Sequence, residues 1–99
     1  MSLWKKDSSN EASFRLGHVR EQRGDMSGAL HAYQGAVGAA DVGYAYRLSA
    51  VARCAALYEA RRDYPKALAA YRDIMRNSRD PELVAAATDR ASQISRHTR

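Results

Sequence analysis

The sequence contains one pattern twice, and this repetition restricts the folds that the chain can adopt. In both copies an aspartate stands where a helix N-cap is preferred, and apolar residues follow at the spacing of one helix face. Hairpins of this kind bury their apolar faces only by stacking on neighbouring hairpins. The pattern therefore predicts an all-α fold of repeated helical hairpins. The function expected of such a fold is binding. The matched positions, all displaced by the same step of 38 (67 − 29 and 71 − 33), are Gly24-Asp25, Ala29-Leu30 and Tyr33 in the first copy and Arg62-Asp63, Ala67-Leu68 and Tyr71 in the second.

Local start and stop signals predict five helices and leave no room for a sheet. Ser8 and Glu11 have the spacing of a capping box, so the first helix should begin near Ser9. Asp25 should cap the second helix, and Asp63 the fourth, with Pro65 in its first turn. The predicted helices cover about residues 9–23, 26–40 and 44–61, a fourth from residue 64, and a fifth over 81–95.

The apolar periodicity predicts which side of each helix is buried. Gly17 and Ala55, which are separated by the same step as the repeated pattern, are small residues at points where two helices of a hairpin should cross closely. Gly28, Gly35 and Gly38 are likewise expected to allow close packing of the second helix. The predicted buried positions are Ala12, Leu16 and Val19; Ala29, Leu30, Tyr33, Ala36 and Val37; Val51, Cys54, Ala55, Leu57 and Tyr58; and Ala67, Leu68, Tyr71, Ile74 and Met75.

Length and composition limit the class of protein to which the chain can belong. The chain has 99 residues, which suits one small domain, and its net charge of +5 favours acidic partners. The single cysteine excludes an internal disulfide, and no apolar run approaches the length of a membrane span. We expect a soluble protein of the bacterial cytoplasm or periplasm, with bacterial origin suggested by the alanine- and arginine-rich composition. Met1-Ser2-Leu3 is expected to be a vector-derived start.

These motifs resemble the tetratricopeptide repeat family, whose helix–turn–helix unit is about 34 residues long. The resemblance covers about residues 9–79 and implies an α-solenoid of two antiparallel hairpins, in which residues 80–99 supply a C-terminal capping helix and a basic tail. Residues 1–8 would be a disordered or vector-derived segment. The first repeat departs from the family at Ser13 and Arg20. The matching residues are Leu16, Gly17, Gly24, Asp25, Ala29, Tyr33 and Ala36 in the first repeat and Ala55, Tyr58, Asp63, Ala67 and Tyr71 in the second.

The period of 38 exceeds that of the family by four, close to one helical turn. An additional turn at residues 44–47, on the third helix, would keep its apolar face nearly in phase. Tyr44, Tyr46 and Arg47 would then extend beyond the usual packing. They either cover the hydrophobic core or form a contact surface for a partner or a second copy.

The resemblance implies a binding groove lined by the first helix of each hairpin. Arg15 and Arg53 should project from the same side, where they could bind an acidic peptide or each pair with a nearby glutamate. A carboxylate clamp for chaperone tails is disfavoured, because Phe14 and His18 occupy its key first-repeat positions. The implied groove positions are Phe14, Arg15, His18, Glu21, Gln22, Ala52, Arg53, Ala56 and Glu59.

No catalytic motif is present in the sequence. His18, His31 and His97 fall on three different predicted helices, and none has a second histidine or cysteine at metal-ligand spacing. We therefore predict a non-catalytic protein that binds a protein or peptide, without a metal or cofactor. The alternative is nonspecific binding of nucleic acid or another polyanion by the basic surface, although acidic residues are interspersed among the arginines. Because two repeats are few for a stable array, we also expect either self-association or excision from a longer array.

Overall fold

The structure is all α-helical over the residues that it describes. The computed structural model describes the backbone of residues 2–38 and 44–97, and side-chain surroundings over residues 11–38 and 47–97. These residues form five helices and no strand, which confirms the all-α class that the sequence predicts. The helices are α1 (Ser2–Gln22), α2 (Met26–Gly38), α3 (Tyr44–Ala60), α4 (Tyr64–Asn77) and α5 (Pro81–His97).

The helices pack mainly in chain order. Each helix from α1 to α4 contacts the next one along the chain, and α1 also contacts α3. The short turns after α1, α3 and α4 favour this order, because each returns the chain antiparallel to the helix that it has just left. Within the described ranges, no helix is both long and apolar enough to cross a lipid bilayer.

Two turns with the same geometry end α1 and α3. Gly24 has φ +82°, and Arg62, at the equivalent position of the second copy, has φ +62°. In the first turn the amides of Gly24 and Asp25 donate to the carbonyls of Glu21 and Arg20, over 3.0 and 2.8 Å. Paired bonds of this kind form a Schellman motif, which satisfies the last carbonyls of a helix.

The second turn repeats these bonds. The amides of Arg62 and Asp63 donate to the carbonyls of Glu59 and Tyr58, each over 2.9 Å. The repeated pattern in the sequence therefore corresponds to a repeated backbone conformation. Arg62 adopts the positive φ in the second copy at a conformational cost. Gly24 avoids this cost in the first copy, because glycine has no Cβ atom.

Aspartates precede the helices that follow these turns. The Asp25 carboxylate accepts a hydrogen bond of 2.9 Å from the Gly28 amide, as predicted for an N-cap. Asp63 is also at the N-cap of α4, with proline in the first turn, but its side chain makes no capping hydrogen bond. Asp63 instead lies 3.8 Å from the Lys66 ammonium. The capping prediction is therefore confirmed for Asp25, whereas for Asp63 it holds in position only.

The start of α1 corrects the sequence prediction. The helix begins at Ser2, not near Ser9, so Ser8 and Glu11 lie within it. Serine and glutamate at this spacing are compatible with a helix interior as well as with a capping box. No proline interrupts the preceding residues, so nothing in the local sequence prevents the helix from extending upstream. The end of α2 at Gly38, ahead of the predicted Ala40, is a smaller difference.

The core consists of two clusters joined by shared residues. One lies between α2 and α3, and the other between α3, α4 and α5. Val37 and Tyr58 are half-buried and pack against both clusters. The buried members are Ala29, Leu30, Tyr33, Ala36, Ala50, Cys54 and Leu57 in the first cluster and Val51, Ala55, Ala67, Tyr71, Ile74, Ala87 and Ile94 in the second.

The buried face predicted for α1 is wrong. Leu16 and Val19 remain 43% and 41% exposed, and Ala12 is exposed as well. The other side of the helix is the one that packs: Gly17 is buried and Phe14 contacts the first cluster. Because α1 is the first helix in the order of packing, no described helix covers its outer side. Met75, predicted to be buried on α4, is also exposed.

At Gly17, α1 packs directly against the ring of Tyr33 on α2. A methyl group in place of its hydrogen would lie 2.5 to 2.8 Å from three ring carbons of Tyr33, which is fully buried. The prediction of a tight crossing at Gly17 is thus confirmed. It does not extend to the α2 glycines: Gly28 leaves room for the Asp25 carboxylate, Gly35 has only ordinary contacts with Ser13, and Gly38 has no neighbour within 4 Å.

Candidate binding face

Three helices, α1, α3 and α5, present side chains to one another across a common face. The Arg53 guanidinium on α3 bonds the Glu21 carboxylate on α1, and the Arg90 guanidinium on α5 bonds the Glu59 carboxylate on α3. Each arginine also donates through Nε to its carboxylate over 3.3 Å. We refer to this surface, which is bridged by the two ion pairs, as the α1–α3–α5 face.

In each ion pair, a tyrosine on the second helix of the hairpin donates a further hydrogen bond to the glutamate. The hydroxyl of Tyr33 on α2 donates to Glu21 over 2.8 Å, and that of Tyr71 on α4 donates to Glu59 over 2.9 Å. Both tyrosines are buried, and the hydrogen bond to glutamate satisfies the hydroxyl group, which is the polar atom of an otherwise apolar side chain. Each glutamate therefore receives hydrogen bonds from two different helices.

The two networks occupy equivalent positions in the repeat. Glu59 and Tyr71 follow Glu21 and Tyr33 at a step of 38 (59 − 21 and 71 − 33), whereas Arg90 follows Arg53 at a step of 37 (90 − 53). Ala87, Ala91 and Ile94 on α5 likewise follow the α3 positions Ala50, Cys54 and Leu57 at this shorter step. Helix α5 thus packs on α4 through the same side that α3 uses to pack on α2.

The first network shifts the pKa values of its members. Burial alone would raise the pKa of Glu21, but hydrogen bonds from Arg53 and Tyr33, with the charge of Arg53, bring it below its ordinary value of 4.5. Burial and the Glu21 carboxylate raise the pKa of Tyr33 to about 12. The Glu21 hydrogen bond raises the pKa of Arg53. At neutral pH the network therefore consists of a carboxylate, a guanidinium and a neutral phenol.

An aromatic group lies at the α1 edge of the face. The ring of His18 stacks edge-on against those of Phe14 and Tyr33, with centroids 4.7 and 5.7 Å apart. Phe14, Arg15, His18 and Val19 line a shallow surface depression beside it. An enzyme would need a pocket that combines His18 with Glu21 or Asp25. The Asp25 carboxylate caps α2, and the Glu21 carboxylate bonds Arg53 and Tyr33.

The sequence-predicted groove residues fall into four groups, one of which consists of the half-buried alanines Ala52 and Ala56 on α3. Glu21, Arg53 and Glu59 belong to the two ion pairs, and Phe14 and His18 form the aromatic edge. Arg15 pairs with Glu11 one turn away over 2.5 Å and is 74% exposed, and Gln22 is exposed at the end of α1. The two arginines thus pair with glutamates, which was one of the two alternatives, and they do not share an anion site.

The predicted additional turn of α3 can be followed only in part. Helix α3 does begin at Tyr44, but the side chains of Tyr44 and Tyr46 lie outside the described residues. Arg47, the last residue of that turn, donates to both carboxylate oxygens of Asp73 on α4, over 2.8 and 3.4 Å. This bidentate pair connects α3 to α4 within the second hairpin.

Sequence reasoning did not identify Tyr33, Tyr71 and Arg90 as polar contributors to this face. The tyrosines appeared only as apolar positions of the repeat, and Arg90 has no counterpart at the step of 38, because its equivalence requires a step of 37. A search for tyrosines twelve positions after a glutamate would have found both pairs (33 − 21 and 71 − 59).

A groove separate from the α1–α3–α5 face lies between α2 and α4, and α3 forms its floor. It has a volume of about 320 Å³ and is lined by Val37, Val51, Cys54 and Tyr58 among others. A hydrogen bond of 2.7 Å from the Gln34 amide to the Tyr58 hydroxyl lies across one side of it. Burial raises the pKa of the Cys54 thiol to about 11, so the cysteine is an unreactive packing residue at neutral pH.

The described residues contain no group of three or more histidine, cysteine, aspartate or glutamate side chains that could hold a metal ion. Comparison of the chain with family models, curated proteins and solved structures found no match.

Proposed function

We propose that this chain is a protein-interaction module of the tetratricopeptide-repeat type, which binds a peptide or partner-protein segment across the α1–α3–α5 face. The observation that carries the proposal is the repetition of the Glu–Tyr–Arg network, which fixes three helices side by side as one surface. A rigid surface of this kind lowers the entropic cost of binding. In this proposal the chain is not catalytic.

The chemistry of the face suits an extended or helical segment with polar and acidic groups. Ala52 and Ala56 are half-buried small residues on α3, between the charged pairs, and they leave a shallow floor. The side chains of Arg53 and Arg90 remain 39% and 42% exposed although each binds a glutamate. Their unused N–H groups can therefore donate to a partner, and the net charge of +5 favours an acidic one.

Site-specific photo-crosslinking tests this proposal. A benzoylphenylalanine at Ala56 is expected to capture a discrete partner in bacterial extract, whereas the same residue at Ala69, exposed on α4 outside the face, is not. Equal adducts from both positions would refute the proposed face.

A pair of bulky variants supplies the matched control. Ala56→Arg should abolish the adduct formed from a crosslinker at neighbouring Ala52, and Ala69→Arg should leave it unchanged. Thermal unfolding of both variants verifies that they are folded. Retention of the adduct in the folded Ala56→Arg variant would contradict binding across this floor.

A further inference from the structure

The groove between α4 and α5 is equivalent, at the end of the helix order, to the cleft between α2 and α3, beside which α4 packs. Leu68, Arg72 and Met75 line one side of it and Thr88, Ala91 and Ser92 line the other. The α4 residues follow Leu30, Gln34 and Val37 of α2 at a step of 38, and the α5 residues follow Val51, Cys54 and Ala55 of α3 at a step of 37 (68 − 30 and 91 − 54).

In the middle of the molecule α4 packs on the α3 side of this cleft, and the part lined by Gln34, Val37 and Cys54 stays open as the α2–α4 groove. Ala67, Tyr71 and Ile74 of α4 pack against Val51 and Ala55 of α3, with Val37 of α2 at the edge. The equivalent α4–α5 groove is open and has a volume of about 440 Å³. The α5 side of the open groove is therefore equivalent to the α3 surface on which α4 packs.

The lining of the open groove differs in chemistry from its counterpart between α2 and α3. Thr88 replaces Val51, Ser92 replaces Ala55 and Arg72 replaces Gln34, while Leu68 and Ala91 keep the floor apolar. Arg96 adds a second guanidinium from α5. Neither Arg72 nor Arg96 has an ion-pair partner among the described residues.

We propose that the α4–α5 groove binds an acidic amphipathic helix of a partner protein. The apolar floor would bury one helix face, as the equivalent α3 surface does for α4, and Arg72 and Arg96 would pair with carboxylates at its margins. A second copy of this chain fits poorly: its exposed apolar face, at Leu16 and Val19, is adjacent to Arg15 and Arg23, which would oppose the groove arginines. This site is separate from the α1–α3–α5 face.

Fluorescence anisotropy with the full chain and a designed peptide tests the proposal. The probe has the α4 sequence of residues 63–79, because α4 packs on the equivalent α3 surface, with a staple joining positions 69 and 73 to keep it helical. It carries the substitutions Lys66→Glu, Arg72→Glu, Arg76→Glu and Arg79→Glu. We expect micromolar binding of this acidic probe and at least about tenfold weaker binding of the stapled peptide with the original basic residues.

Variants of the chain separate this site from general attraction to a basic protein. Arg72→Glu should weaken binding of the acidic probe about tenfold, whereas Arg23→Glu, with the same change in net charge at the far end of α1, should have little effect. Ser92→Trp, at an exposed position of the groove, should block it by bulk alone. Equal effects of Arg72→Glu and Arg23→Glu would overturn the proposal.

NMR chemical-shift changes locate the bound probe. Changes confined to the α4–α5 groove support the proposal, and changes centred on Ala52 and Ala56 would overturn it while favouring the other face. The last measurement uses a labelled single-stranded DNA in place of the peptide probe. If DNA binds more tightly than the probe with the same dependence on Arg72, the groove is a polyanion site and the helix proposal fails.

Discussion

At the scale of single residues, the contact between Gly17 and the Tyr33 ring couples helix packing to the polar network. The ring lies where a Cβ atom at position 17 would be, and its hydroxyl binds Glu21 one turn further along α1. Displacing the ring would therefore disturb both the core and the ion pair that Glu21 makes with Arg53. Two substitutions test this coupling.

Gly17→Ala should lower the free energy of unfolding by about 1–3 kcal/mol, because the new methyl group overlaps a ring that is fully buried. Urea denaturation measures the change. Gly35→Ala is the matched control: its Cβ would meet Ser13 at an ordinary 3.6 Å, so the better helix propensity of alanine should raise stability by up to about 1 kcal/mol. Stabilisation by both substitutions would contradict the tight crossing.

Glu21 makes stability depend on pH in the acidic range. Since the pKa of Glu21 in the folded chain lies below its ordinary value of 4.5, the contribution is complete above about pH 4.5 and is lost as the pH falls through the folded-state pKa. Chemical denaturation of the wild type between pH 5.5 and about 3 should show this loss, and Glu21→Gln should show a smaller one. Glu11→Gln, whose carboxylate pairs with exposed Arg15 on the same helix, is the control. An identical pH dependence in the wild type and Glu21→Gln would refute the role of the network.

At the scale of whole helices, equivalent positions differ in burial according to their place in the order of packing. Leu57 on α3 is 6% exposed because α2 covers it, whereas Val19, at the equivalent position of α1, is 41% exposed. The helical period identifies an apolar stripe on α1. It cannot indicate whether a neighbouring helix covers that stripe.

Alanine substitutions on the two helices measure this difference. Leu16→Ala or Val19→Ala should each lower stability by less than about 1 kcal/mol, because the side chains are already partly solvated. Leu57→Ala should lower it by about 2–5 kcal/mol through loss of buried contacts and creation of a cavity. Thermal and urea denaturation at low protein concentration provide the comparison. A cost for Leu16→Ala as large as that for Leu57→Ala would show that the stripe is covered in solution.

At the scale of the whole molecule, the two core clusters behave as one unit because they share residues. Val37 and Tyr58 pack against both, and the ion pairs connect α1 to α3 and α3 to α5. Side-chain contacts that cross between hairpins make separate melting of one hairpin unfavourable.

The described helices should therefore unfold in a single cooperative transition. Urea unfolding followed by far-UV circular dichroism reports helix content, and near-UV circular dichroism reports the packing of the aromatic side chains. We expect the two curves to coincide. Two resolved transitions, or a near-UV signal lost before the helices, would show that the hairpins are energetically independent.

Much of the fold could be predicted from local sequence. Asp25 and the turn residue Gly24 mark a helix boundary by chemistry that acts within a few residues, and so does the Asp80-Pro81 pair. The apolar positions of α2, α3 and α4 were predicted from periodicity, and most of them are buried. The start of α1 could not be located in this way, because its capping-box spacing is compatible with a helix interior.

By itself, the sequence determined the helices, their turns and the repeat, since each depends on interactions between residues close together in the chain. Only the tertiary structure decided which apolar stripe is exposed, which arginine binds which glutamate, and where an open groove remains. Arg53 reaches Glu21 across 32 residues and Arg90 reaches Glu59 across 31, so no local spacing rule contains either pair. These features depend on which helices become neighbours, and that is settled by the packing of the whole chain.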